Sequence, residues 1–376
     1  MNIPSGKMTV VGNEEKYLLE VLHSGNWVGR GPKTLALEKL AAQACQAKHV
    51  FFVTSGTAAL EVGTLLAQLK PGDEVITPSF AFVSSANAIA LRGAKPIFAD
   101  IDKNLWNITT ETVEPLITKK TKAILPVYYG GSSAGADDLR NLCKKHNLFY
   151  IEDAAQALGS KRDGKPIGSS EHVTCFSLHG TKNLSSGEGG LVMTDSDALA
   201  RKIEIQIEKG TDRQQFFRGQ IDKYRWVDIG SSYIASDLLA AVALAQFEKI
   251  EEVTKKRKAI CAKIQNALKK FEGLISWQNI PKNIETNGHA SGFVLDPKIR
   301  DEVLQKYKSL GVQAIFHYVP LHDSPYSKEQ GYAPKEDLKN TRAISEGLVR
   351  LPVYFSMTDA EVDFVISISE KILSTY

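Results

Sequence analysis

The chain has 376 residues, and its 46 basic against 43 acidic residues leave a net charge of +3. That length is too great for one small core and predicts one large domain plus a smaller one, while interspersed charges of both signs give no footprint for nucleic acid. Cys45, Cys143, Cys175 and Cys261 are far apart, with no Cys-x-x-Cys spacing, so neither a metal site nor a disulfide framework is indicated. No apolar run reaches 18 residues, and Met1-Asn-Ile-Pro-Ser-Gly-Lys7 lacks the charged-then-apolar pattern of a signal peptide. The expectation is a soluble, cytoplasmic protein without a membrane partner.

Taken in chain order, short apolar runs alternate with helical patterns. Residues 50–53, 74–76, 96–99, 123–127, 149–151, 173–176 and 190–194 read as strands, and 58–69, 86–91 and 136–145 as helices. Alternation of this kind predicts an α/β fold, with a mostly parallel sheet covered on both faces and function at the carboxyl ends of its strands. Residues 237–268 read as a long helix system leaving the large domain. Beyond about residue 250 shorter strands, 313–318 among them, mix with exposed helices as in a smaller α+β domain. The boundaries expected are 1–249 for the large domain and 250–376 for the small one. There is no internal repeat, no Gly-x-Gly-x-x-Gly and no P-loop.

Three motifs carry chemistry. Val50-Phe-Phe-Val-Thr-Ser55-Gly56-Thr57-Ala-Ala-Leu60 reads as strand, tight turn and helix, with Ser55 as N-cap. Such a turn offers backbone N–H groups and a helix dipole to a phosphate. Phe149-Tyr-Ile-Glu-Asp153-Ala-Ala-Gln156 reads as a buried strand ending in a carboxylate, the partner that a protonated pyridine nitrogen needs. Phe176-Ser177-Leu-His179-Gly-Thr-Lys182-Asn-Leu-Ser-Ser-Gly-Glu-Gly-Gly190 holds a lysine between an apolar run and a glycine-rich turn. A lone lysine of this kind is ordinarily a solvated surface residue. Phosphate cup, ring-nitrogen acid and lysine, each at a strand end, together point to pyridoxal 5′-phosphate (PLP) and a Schiff-base lysine.

At these residues the chain resembles the fold type I PLP aminotransferases of the DegT/DnrJ/EryC1/StrS family, which act on nucleotide-linked keto-sugars. The resemblance runs from about Gly25 to the C-terminus. It is carried also by Trp27-Val-Gly-Arg-Gly-Pro32, Pro71-Gly-Asp-Glu-Val75 and Thr77-Pro-Ser-Phe-Ala-Phe82. The block 209–233, with Arg213, Phe216, Phe217, Arg218 and Tyr224, looks like the branch that makes dTDP-4-amino-4,6-dideoxygalactose from dTDP-4-keto-6-deoxyglucose.

The resemblance implies roles. Lys182 would be the covalent anchor and the general base and acid. Asp153 would hold the pyridine nitrogen protonated, and Gln156 would lie by the ring near its phenolic oxygen. Gly56, Thr57 and Ser177 would bind the phosphate. Phe82 matches a position whose ring stacks on the cofactor, the alternative being core packing. His179 would tune proton transfer or serve as a structural histidine. In relatives a second subunit reaches the phosphate through the segment matching 230–237; Ile234 stands here where some carry asparagine or arginine, leaving Ser232 as the candidate. Arg213 and Arg218 would grip a diphosphate or be solvated loop charges, and Tyr224 would add stacking surface. Arg30 and His317, the latter in Phe316-His-Tyr-Val-Pro-Leu-His322, complete the substrate set. The implied partners are a nucleotide-linked keto-sugar and L-glutamate, in a homodimer with shared sites. Amination at C3 or of a UDP-sugar stays open, as does a non-catalytic binding protein; Lys182 speaks against a dehydratase, in which histidine takes its place.

Overall fold

The computed structural model describes residues 1–376. Seven strands form the central sheet: β1 His49–Val53, β2 Glu74–Pro78, β3 Lys95–Ala99, β4 Thr121–Ile124, β5 Phe149–Asp153, β6 Val173–Ser177 and β7 Gly190–Thr194. Their spatial order is β1-β7-β6-β5-β4-β2-β3. Only β7 runs antiparallel to its neighbours β1 and β6, and the remaining pairs are parallel.

The strands are continuous apolar runs because both faces are covered; β6 and β7 are buried at every position. On one face Leu37, Phe52, Phe176, Leu191 and Phe247 share a core with helices Pro32–Cys45 and Asp237–Phe247. On the other, Val53, Val62, Ile151, Val173 and Ile203 pack with helices Gly56–Leu66 and Asp197–Ile207. Phe52 and Val53 fall on opposite faces, as the period of two in a strand requires. The expected α/β class is what the chain adopts.

A second core gathers C-terminal residues around a three-stranded antiparallel sheet of Ser276–Trp277, Ser291–Val294 and Leu348–Leu351. Phe293, Val303, Tyr307, Val349 and Val365 fill it, together with Ile3 from the start of the chain.

The structure departs from the sequence reading at three places. Residues 313–318 are not a strand: only Ile315 bridges to Arg350, and Tyr318 takes a left-handed φ of 48° that ends any extended run. The strand expected over 123–127 is Thr121–Ile124, because Pro126 has no N–H to give the ladder. The long helix system is two helices, Asp237–Phe247 and Ile250–Leu268, separated at Glu248 and Lys249. All four cysteines are free, and no helix is long and apolar enough to cross a membrane.

Candidate active site

Parallel strands that end together leave their following turns on one edge of the sheet. At that edge lies a cavity of about 1000 Å3 whose walls include Gly56, Thr57, Phe82, Asp153, Gln156, Ser177, His179, Lys182 and His317. Nine of the residues singled out in the sequence therefore meet in one place, although they come from five stretches of the chain.

The turn after β1 is built as the sequence suggests. Ser55 Oγ accepts from Ala58 N at 3.0 Å and opens helix Gly56–Leu66. A side chain at Gly56 would place its Cβ 2.6 Å from Ser177 Cβ, and one at Gly190 would meet Ser55 O at 2.3 Å. The glycines let this turn and the end of β6 close to backbone distance. Thr57 Oγ1 shares a hydrogen bond of 2.7 Å with Ser84 Oγ.

Asp153 ends β5 and is buried. Its Oδ2 accepts from Ser85 Oγ at 2.7 Å and its Oδ1 from Ala155 N at 3.1 Å. Burial raises its pKa, and these two bonds together with the charge of Lys182 work the other way. Lys182 lines the cavity; burial pulls its pKa down to about 8, with Asp153 opposing the effect and the positive charge of Arg350 adding to it. A buried carboxylate and an amine of lowered pKa thus influence each other within one cavity, a pairing typical of functional sites.

Around this pair the polar groups are fixed by distant parts of the chain. Gln156 Oε1 accepts from Gly130 N at 2.8 Å, and its Nε2 donates to Tyr318 Oη at 2.8 Å. His317 Nδ1 lies 2.9 Å from Tyr129 Oη, and its ring stacks on Tyr318 at 3.6 Å. Burial, then the charges of Arg350 and Lys182, push its pKa down to about 2, so it is neutral. His179 lies on the rim, 3.0 Å from Thr181 Oγ1 through Nδ1. Phe82 is 57% exposed and lines the cavity, so it is not a core residue.

Five nominated residues lie elsewhere in this chain. Arg30 and Arg218 line a second cavity of about 530 Å3 beside β1; Arg30 lies 4.0 Å from Glu38, and Arg218 pairs with Glu204. Arg213 sits over the rings of Phe217 and Tyr224 at 5.0 and 5.9 Å, and Tyr224 is exposed. Ser232 is exposed and bridges by its backbone to Glu208.

Conversely, the sequence reading missed Ser85, Arg257, His289, Tyr318 and Arg350. Ser85 carried a readable signal, being three residues past Phe82 at the start of helix Val83–Ala90. Arg350 carried another, a charge between the apolar Val349 and Leu351 of a strand.

The model of the DegT/DnrJ/EryC1/StrS aminotransferase family matches residues 9–369. The chain is similar to the spore coat polysaccharide biosynthesis protein SpsC of Bacillus subtilis, 34% identical over 368 residues, which span 96% of this chain and 94% of SpsC. Among solved structures it resembles DesV of S. venezuelae, with a TM-score of 0.91 at 27% identity over 99% of this chain and 98% of that one. It also resembles NtdA of Bacillus subtilis with bound cofactor PMP, with a TM-score of 0.85 at 25% identity over 97% of this chain and 83% of NtdA.

Proposed function

The chain belongs to the DegT/DnrJ/EryC1/StrS aminotransferase family, and on that premise we propose that it moves an amino group from L-glutamate onto C4 of dTDP-4-keto-6-deoxy-D-glucose, working as a homodimer. The observation that carries the reading is Lys182 facing the buried Asp153 across a cavity at the carboxyl edge of the sheet.

The cofactor is PLP, which when bound acts as an electron sink and carries the amino group between the two substrates. The residues present fit it. Gly56 packs so closely on Ser177 that a Cβ would collide with it, which brings the Ser177 hydroxyl and the turn's N–H groups to one spot, and Asp153 receives only two hydrogen bonds from protein, keeping lone pairs for a ring N–H.

In this reading Gly56 and Thr57 present backbone N–H groups, and Ser177 its hydroxyl, to the phosphate at the positive end of helix Gly56–Leu66. Asp153 Oδ would keep the ring nitrogen protonated, its carboxylate being fixed by Ser85 Oγ and Ala155 N. Lys182 Nζ would anchor the cofactor, take the proton from the donor carbon and return it to the sugar side; its lowered pKa makes the neutral, proton-accepting form far more populated than in a free lysine. Phe82 covers one face of the ring, and Gln156 is held beside it by Gly130 and Tyr318. His179 on the rim tunes proton transfer, and His317 belongs to the sugar side. Arg30, Arg213, Arg218, Tyr224 and Ser232 serve the cavity of the neighbouring subunit, the arginines gripping the diphosphate.

The sugar choice rests on the resemblance of residues 209–233, and a role in surface glycan synthesis is supported by the similarity to SpsC, a spore coat polysaccharide biosynthesis protein. We place the boundary between the domains at residues 249 and 250, where the two long helices separate. The test is spectroscopic: L-glutamate alone should bleach the visible cofactor band, and dTDP-4-keto-6-deoxyglucose should then restore it. A band that glutamate bleaches and the sugar leaves bleached would remove this substrate and keep the aminotransferase.

A further inference from the structure

Lys182 stands in neither a helix nor a strand but in the turn between β6 and β7, so the regular hydrogen bonding of the sheet stops short of it. The next residue, Asn183, is held from far along the chain: its Nδ2 donates to Asn287 O at 2.9 Å, and its Oδ1 lies 3.1 Å from His289 Nδ1. A carbonyl only accepts, so Asn287 O decides which way the Asn183 amide faces and leaves Oδ1 as the acceptor. His289 must then carry a proton on Nδ1 and donate it to Asn183. Burial, with the charges of Lys182 and Arg350, holds the His289 pKa well below the ordinary histidine range, so the ring is neutral and keeps this tautomer.

The residues that hold Asn183 are themselves fastened on several sides. Asn287 is buried; its Nδ2 donates to the carbonyls of Gln156 and Leu158 at 2.9 and 2.8 Å, and its backbone N–H to Ser160 Oγ at 3.1 Å. Its Oδ1 accepts from His289 N at 3.0 Å. Arg257 donates to the carbonyls of Gly288 and His289 at 3.1 and 3.0 Å. Gly288 takes a φ of 66°, and a Cβ there would stand 2.7 Å from Arg257 C, so the loop lies directly on helix Ile250–Leu268. One loop thus ties the Gln156 segment and the lysine turn to the same frame.

We propose that Asn287 and His289 position Lys182 by clamping Asn183, an inference that rests on the aminotransferase reading above, in which Lys182 moves the proton. A reacting group displaced by about 1 Å can lose about a hundredfold in rate, and an irregular turn has no ladder of its own to prevent that. His289 lines the cavity, but its Nδ1 proton is spent on Asn183, which makes it a positioning residue. Because Lys182 serves both halves of the reaction, the clamp matters equally to the amino donor and to the sugar.

The test compares His289→Phe, which keeps a ring but loses the donor, with His289→Gln, whose amide donates again, and with Asn183→Leu and the double variant. In the PLP-loaded enzyme, His289→Phe should slow both half-reactions by about ten- to a hundredfold at saturating substrate, with each KM within about twofold of wild type. His289→Gln should recover part of that loss. Adding His289→Phe to Asn183→Leu should cost nothing beyond Asn183→Leu alone, because the bond between the two side chains is already gone. A second readout needs no substrate: the rate at which cofactor-free protein develops the visible band with PLP follows deprotonation of Lys182. Its midpoint should fall at about pH 8 in the wild type and about one unit higher in His289→Phe, as the released amine gains water. Additive losses in the double variant, or unchanged rates with an unchanged midpoint, would overturn the assignment. So would an equal loss of Tm and PLP content in His289→Phe and His289→Gln with the midpoint unmoved, which would make the loop a structural support. A wild type that accepts glutamate but no sugar nucleotide would sink the sugar reading and leave the clamp standing, since the glutamate half-reaction and PLP uptake read it without the sugar.

Discussion

The cavity at the sheet edge and the segment 209–233 hold their charged groups in opposite ways. In the cavity two central groups are oriented by residues far away in sequence, Asp153 by Ser85, and Gln156 by Gly130 and Tyr318. In residues 209–233 the charges are satisfied close by. Arg225 pairs with Asp212, Arg218 with Glu204, and Arg213 lies over Phe217 and Tyr224. The segment meanwhile leaves Phe217, Tyr224, Trp226 and Ile229 exposed. Chemistry at a fixed atom requires groups preorganised by the whole fold, whereas an apolar, arginine-bearing surface of this kind suits recognition. On this account the two regions divide the labour, the first catalysing and the second choosing the sugar.

The division can be broken most sharply at Lys182. Lys182→Ala should cut turnover by on the order of a thousandfold or more while PLP stays bound through the phosphate cup and Asp153, as dialysis and absorbance would show. Sustained turnover without added amine would remove Lys182 from the chemistry. Asp153→Asn should also cost orders of magnitude, because a buried ring nitrogen loses its counter-charge. A drop in kcat of less than about tenfold, or roughly 1.4 kcal/mol in barrier, would mean that another residue serves the ring.

In the outer segment the effect should be smaller and one-sided. Arg213→Ala and Arg218→Ala should each raise the KM for the sugar nucleotide about ten- to a hundredfold and spare the glutamate half-reaction. Equal effects on both half-reactions would return these arginines to a structural role and blur the division.

A further effect falls on stability rather than on turnover. Burial lowers the Lys182 pKa from 10.5 to about 8, so below pH 8 the folded state carries a charge that it disfavours. Between about 8 and 10.5 the unfolded state binds a proton that the folded state has released, and stability rises with pH. In cofactor-free protein Lys182→Met should therefore gain up to about 3 kcal/mol at pH 7, a gain that fades by pH 10.5. Denaturant melts at the two pH values would show it, and a gain independent of pH would point to packing instead.

How far the sequence was readable follows from how local each signal is. All seven strands of the main sheet are visible as apolar runs because both faces of a parallel sheet are buried. The Ser55 cap, the Asp153 strand end and the Lys182 turn are legible because each rests on neighbours in sequence. Residues 313–318 misled because Ile315, Phe316 and Tyr318 imitate a strand, while only Ile315 bridges to another strand and the left-handed φ of Tyr318 turns the backbone. Arg257, His289 and Arg350 reach the cavity from the C-terminal third of the chain, and nothing in their local pattern says which cavity they face. The arginines of 209–233 were recognisable by type, but the place opposite a neighbouring subunit that we propose for them would be a matter of assembly, which no spacing within one chain encodes.

The most direct test of the central claim is transfer of labelled nitrogen. Incubating the PLP-loaded protein with dTDP-4-keto-6-deoxyglucose and 15N-glutamate, and analysing the product by NMR, should give a sugar nucleotide bearing 15N at C4, with none formed by Lys182→Ala. Nitrogen at C3, or no label in the sugar while glutamate is still consumed, would contradict it.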